Sequence, residues 1–140
     1  QTARDEMADA VRGRVLIIED EAIIAMDLDS LVAEAGHEVM GIARTRDGAR
    51  ALASTARPDL ILADIQLADR SSGIDAVNDL LGLYGAVPAI FITAFPERLL
   101  SGARPEPAFL IAKPFEEEQV RTAISQALFF ASTETLAETA

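Results

Sequence analysis

The sequence predicts an α/β fold in which a five-stranded parallel sheet carries helices on both faces. Short apolar runs recur five times, at 14–18, 37–42, 58–64, 89–93 and 108–112. Segments of helical period separate them, with apolar residues three and four apart. The connections are short, and strands that alternate with helices through right-handed crossovers make a parallel sheet.

The first strand, Arg14-Val15-Leu16-Ile17-Ile18, runs directly into Glu19-Asp20-Glu21. From there to Ala35 the pattern is helical, with Ile24, Leu28, Leu31 and Ala35 on one face. Gly36 is a natural stop. A weaker strand follows at 37–42, and Thr45 is placed to cap a helix containing Ala49, Leu52 and Ala53. Arg57-Pro58 ends that helix and opens the central strand to Asp64. The central run is rich in branched side chains, as expected for a strand buried on both faces. Residues 66–72 read as a polar loop, and Gly73 opens a third helix with Val77, Leu80 and Leu81 facing inward. A short helix is expected at 97–100, boxed in by Pro96, Pro105 and Pro107. The last helix is expected over about 116–130, with Val120, Ile124 and Ala127 inside and three glutamates in its first turn, where the helix dipole favours them. Val120 and Phe129 fall on opposite faces at ~100° per residue. The organisation expected is a linker or N-terminal extension over 1–13, one domain over 14–130 and a fraying tail over 131–140. A chain that starts at Gln1 is expected to be excised or processed from something longer.

At 140 residues the chain has room for one core. Half the residues are hydrophobic and a quarter charged, a globular balance. The net charge of −11 argues against nucleic-acid binding by this segment, because phosphate binding needs a basic surface. There is no cysteine, which excludes disulfides and thiolate sites. No apolar stretch is long enough to cross a bilayer. Both points fit a cytoplasmic location.

In such a sheet the C-terminal ends of the strands share one edge, where ligands bind. That edge collects Glu19 and Asp20, Asp64, Thr93 and Lys113, the only lysine among twelve basic residues. Three neighbouring carboxylates repel unless a cation joins them. Oxygen ligands of this kind suit Mg²⁺, and a carboxylate beside it can attack phosphorus to form an aspartyl phosphate. Each residue has a plainer role as well: Asp20 as a helix cap, Thr93 as a strand-end cap, Lys113 as a surface lysine. Their coincidence on four strand ends favours chemistry. The sole histidine, His37, reads as a partly exposed strand residue. Arg44, Arg46, Arg50 and Arg57 read as a solvated helix face.

Val15-Leu16-Ile17-Ile18-Glu19-Asp20-Glu21, the strand ending at Asp64, Thr93-Ala94 and Lys113-Pro114 together resemble the CheY-like receiver domain of bacterial response regulators. That resemblance implies a flavodoxin-like (βα)5 sheet of strand order 2-1-3-4-5. It implies Asp64 as phosphoacceptor, Thr93 as the switch hydroxyl and Lys113 as the phosphate-binding lysine. Mg²⁺ would be held by Asp20, Asp64 and the backbone carbonyl of Gln66, with Glu19 acting through water. A cis bond is implied before Pro114. The partner implied is a sensor histidine kinase or a phosphotransfer protein. The segments Ala63-Asp64-Ile65-Gln66-Leu67 and Phe91-Ile92-Thr93-Ala94-Phe95-Pro96-Glu97-Arg98-Leu99-Leu100 further resemble PhyR-type general stress response regulators of alphaproteobacteria. That implies an N-terminal sigma-factor-like output domain and an anti-sigma factor.

Three departures stand out. Leu110 replaces the family's switch aromatic three residues before the lysine. The loop after Asp64 is one residue longer and lacks the common proline. Phe95 and Gln66 flank the expected phosphoryl position, and Phe95 is expected to shield the acyl phosphate from water. Three rival readings are an aspartate-nucleophile phosphatase, a nucleotide or flavin binder, and a receiver that works without phosphorylation. The first needs a second acid where Gln66 stands, the second a Gly-rich cradle that the acidic first turn lacks. The full residue set argues against the third.

Overall fold

The computed structural model describes residues 13–100 and 108–139. The expectations for 1–12 and for Pro105 and Pro107 lie outside them. Five parallel strands, β1 (Arg14–Ile18), β2 (Glu38–Ala43), β3 (Leu60–Ala63), β4 (Ala89–Thr93) and β5 (Ala108–Ala112), form one sheet in the order β2-β1-β3-β4-β5. The helices are α1 (Ala22–Glu34), α2 (Arg46–Ala53), α3 (Gly73–Tyr84) and α4 (Glu117–Thr139), with a 3₁₀ turn at Pro96–Leu100. The fold is the one that the sequence predicts.

Strand alternation divides the core in two. Val15, Ile17, Leu60, Leu62, Ile90 and Ile92 pack against Leu28, Leu31 and Val32 of α1 and Val120, Ile124 and Ala127 of α4. Leu16, Ile18, Ile61, Ala63, Ala89 and Phe91 pack on the other side against Ala49 and Ala53 of α2 and Ala76, Val77 and Leu80 of α3. The three central strands are therefore apolar at nearly every position, since neither of their faces meets water.

Local signals explain most boundaries. The Thr45 hydroxyl accepts the Gly48 N–H at 3.0 Å, as expected of its cap. Ser72 caps α3 by accepting from Ile74 and Asp75. Gly36, at φ +89°, ends α1, and the His37 N–H returns to the Val32 carbonyl at 3.1 Å.

Five expectations need correction. The inner face of α1 is Ala25, Leu28, Leu31 and Val32, with Ile24 only half buried. Ala35 lies on the same side as Leu28 but is exposed, because it is the C-cap residue where α1 ends. Residues 66–72 are not wholly polar loop, because Leu67, like Ile65 just before it, is buried. Arg46 is not simply solvated: it grips Asp79 of α3 through Nε at 2.6 Å and Nη2 at 2.9 Å, tying α2 to α3. Finally, α4 continues to Thr139 where a fraying tail was expected, because no glycine or proline follows Pro114 to stop it. Phe129 is exposed and Val120 buried, as their spacing requires.

Candidate functional site

Register builds the site. Ile18 pairs with Ala63, so β1 and β3 end level; Ala63 pairs with Phe91 and Thr93 with Ala112, so β4 and β5 end together two residues further on. The ladder then runs one residue further. The Glu19 N–H donates to Ala43 O at 2.8 Å, Asp64 N–H to Ile18 O at 2.9 Å, and Lys113 N–H to Thr93 O at 2.8 Å. The functional side chains thus leave backbone held as firmly as a strand.

The Lys113 ammonium stands at the centre. Its Nζ lies 2.8 Å from Asp64 Oδ2, 2.9 Å from Glu19 Oε1 and 2.9 Å from Glu21 Oε2. The other Asp64 oxygen, Oδ1, accepts the Ile65 N–H at 2.7 Å. One carboxylate oxygen each from Glu19, Asp20 and Asp64 lies within 4.8 Å of the others. Thr93 is fully buried, and its hydroxyl accepts the Phe95 N–H at 3.1 Å. Gln66 pairs with Ser72 through a single antiparallel bridge. The Lys113–Pro114 bond is cis, as the resemblance implied.

Residues 15–125 match the family described as the response regulator receiver domain. The chain belongs to that family. This receiver is 64% identical over 126 residues to the phyllosphere-induced regulator PhyR of Methylorubrum extorquens, covering 89% of this chain and 47% of that one. It thus spans about half the length of that relative. The solution structure of the Erythrobacter litoralis PhyR receiver is 60% identical at a TM-score of 0.79, over 85% of this chain and 92% of that one. The co-crystal structure of the anti-anti-sigma factor PhyR with the anti-sigma factor NepR, from Bartonella quintana, is 57% identical at a TM-score of 0.61, over 91% and 52%. This chain is a receiver of the PhyR type. Among the described residues no helix is long and apolar enough to cross a membrane.

Electrostatics of the receiver site turn on burial. Glu19 is 1% exposed, and desolvation pushes its pKa up to about 7, although the Lys113 ammonium and the Glu21 N–H pull the other way. Burial alone would lower the pKa of Lys113, but hydrogen bonds to Asp64 and Glu21 and the close Glu19 carboxylate outweigh it and raise the pKa. Among the described residues Glu19 Oε1 is a buried acceptor without an aligned hydrogen bond, for Lys113 meets it at ion-pair distance only. A hard cation fits such an oxygen, and the donor set beside it is all carboxylate. The receiver site therefore suits Mg²⁺.

The raised Glu19 pKa has a testable sign. A folded pKa of about 7 against an ordinary 4.5 means that the folded receiver binds this proton more tightly than the unfolded chain. The stability it contributes is fully present below pH 4.5 and is lost as pH rises through about 7. Urea unfolding in a chelator should show that decline, and Glu19→Gln should flatten it. An equally steep decline in the variant would contradict the assignment.

Of the residues singled out in the sequence, Glu19, Asp20, Asp64 and Lys113 come together directly. Thr93 stands at the same edge through its backbone link to Lys113. Asp20 does not cap α1, whose N-cap is Glu21 without a side-chain bond. Lys113 is not a surface lysine, its side chain being 9% exposed. Leu110 is exposed on β5 and lines a groove with Gln119, Thr122 and Gln126. Phe95 is also exposed, with the Arg98 guanidinium 4.8 Å above its ring. Two contributors escaped the sequence reading. Glu21 was legible only as a third acid beside the pair. Gly73 was legible only as a helix start, yet a Cβ there would stand 1.7 Å from the Asp64 carbonyl oxygen.

Proposed function

We propose that this receiver is a cytoplasmic switch in which Asp64 accepts a phosphoryl group. The observation that carries the reading is the Lys113 ammonium 2.8 Å from Asp64 Oδ2, inside a cluster with Glu19 and Asp20. An Asp64 oxygen attacks phosphorus, the new O–P bond forms, and the donor leaves with the electrons of the old one. The donor in the cell is the phosphohistidine of a sensor kinase or phosphotransfer protein. Mg²⁺, held by Asp20, Asp64, the Gln66 carbonyl and Glu19, would neutralise charge on the phosphoryl oxygens when bound. Lys113 supplies a fixed positive charge to the same oxygens. The Thr93 hydroxyl exchanges the Phe95 N–H for a phosphoryl oxygen, and Phe95 slows hydrolysis by covering the site.

The exchange at Thr93 biases the surface formed by the 3₁₀ turn, β5 and α4. Leu110 already lies at that surface, so the response is read without an aromatic ring turning inward. The co-crystal of PhyR with NepR supports the output: control of a sigma-factor-like domain that binds an anti-sigma factor in the general stress response.

Acetyl phosphate with Mg²⁺, followed by intact mass, tests the core of this reading. One added phosphoryl group is expected, lost in Asp64→Ala and absent in excess chelator. No gain in the unaltered protein would favour a receiver that works without phosphorylation.

A further inference from the structure

Glu21 departs from the other acids at the site. Its carboxylate binds Lys113 Nζ at 2.9 Å, yet its side chain is 59% exposed, against 1% for Glu19 and 9% for Asp64. An ammonium has three donors; Lys113 hydrogen-bonds Glu21 and Asp64 and meets Glu19 as an ion pair at 2.9 Å, so three carboxylate oxygens crowd it. A phosphoryl oxygen that comes within reach of Lys113 must displace one of these three oxygens. Glu19 and Asp64 lack water to replace the ammonium, so giving it up costs them most. Glu21 has solvent as an alternative partner, so its contact is the one released.

We infer that Glu21 is a positioning residue that holds a Lys113 donor in the resting state and thereby brakes phosphorylation of Asp64. The inference rests on the reading of Asp64 as phosphoacceptor. The brake has two parts. The exposed carboxylate occupies a donor that the incoming phosphoryl group needs, and it offsets positive charge that attracts an anionic donor. In the step itself an Asp64 oxygen bonds to the phosphorus of acetyl phosphate, the O–P bond of the donor breaks, and acetate leaves with the electron pair. Lys113 keeps its proton throughout.

Reach separates this role from a simple charge effect. Glu21→Gln removes the charge. Glu21→Asp keeps the charge but shortens the side chain by one methylene, which withdraws the carboxylate from Nζ. Initial rates of phosphoryl gain from acetyl phosphate, read by intact mass at fixed Mg²⁺, are expected to rise about two- to fivefold in both variants, the worth of one exposed ion pair. A rise in Glu21→Gln alone would mean general charge and overturn the inference. Unchanged or slower rates in either variant would overturn it too, a slower rate meaning that Glu21 aims Lys113 instead.

Because Lys113 is the only lysine, its ammonium gives one unambiguous side-chain NMR signal. Exchange of its protons with water should quicken in both variants, and exchange as slow as in the unaltered protein would show that the contact is not made. If the unaltered protein takes up no phosphoryl, the reading of Asp64 fails and the brake with it. If it does, and the variants are no faster, only the brake fails.

Discussion

Lys113→Ala is expected to destabilise the metal-free receiver by about 3 kcal/mol at pH 8 and to slow phosphoryl gain by about 10²–10³-fold. Both follow from one geometry. The ammonium lies within 2.9 Å of three carboxylates, two of them almost without solvent. Its removal leaves Glu19 and Asp64 facing each other with no counter-charge, the situation in which breaking a buried pair costs most. Protonation is the way out, and it fixes the pH dependence. Burial already raises the Glu19 pKa to about 7, and Lys113 is what restrains that rise. Without Lys113 the proton is held more tightly, so the deficit is largest above pH 7 and shrinks as pH falls towards 4.5. Urea unfolding of both proteins at pH 8 and pH 5.5 in a chelator measures this, and added Mg²⁺ should recover part of the loss at pH 8. A deficit of equal size at both pH values would mean that Lys113 stabilises through packing of its stem and not through its charge. The slower chemistry has a separate cause, the loss of a fixed donor at oxygens that carry charge in the transition state.

Gly73→Ala is expected to lower stability by roughly 2–4 kcal/mol, the range for severe backbone conflict, and to impair phosphoryl gain together with it. The added Cβ would meet the Asp64 carbonyl oxygen at 1.7 Å, its carbon at 2.8 Å and Ile65 Cα at 3.3 Å. All three atoms are backbone, so no side-chain rotation relieves the clash. The same residue donates its N–H to the Ile65 carbonyl at 2.7 Å, which pins α3 against the chain leaving β3. Relief must therefore move Asp64 or detach the start of α3, and a displacement near 1 Å at a reacting atom costs about 10²-fold in rate. Gly82 is the control. It lies in the same helix, and among the described residues a Cβ there meets nothing within 4 Å. Gly82→Ala should stabilise by about 0.5–1 kcal/mol through helix propensity and leave phosphoryl gain unchanged. Calorimetry and the mass assay on both variants make the comparison. Equal behaviour of the two would show that the close approach at Gly73 is not restrictive.

The two variants mark different degrees of legibility. Lys113 could be picked from the chain because a parallel sheet aligns the C-terminal ends of its strands, and polar groups just past apolar runs must gather there. That rule also yields Glu19, Asp20, Asp64 and Thr93, each at a strand's end or within two residues past it. It needs only strand type and direction, which apolar runs and helical periods encode locally. Nothing local distinguishes Gly73 from a glycine that merely opens a helix. Its role comes from the path of a loop that carries Ile65 and Leu67 into the core and returns α3 across the backbone of Asp64.

Glu21 lies between these cases. Its position beside Asp20 is plain in the chain, but whether it reaches Lys113, 92 residues on, depends on how α1 leaves β1 relative to the end of β5. Arg46 is similar, since its solvated appearance changes once α3 brings Asp79 within 2.6 Å. By itself the sequence determined the parallel sheet, its order of elements and the residues collected along one edge, because those follow from periodicity and strand direction. Only the tertiary structure decided which carboxylates share the ammonium, how deeply Glu19 is buried and how tightly Gly73 presses on Asp64. Those depend on distances between segments far apart in the chain, and packing sets them.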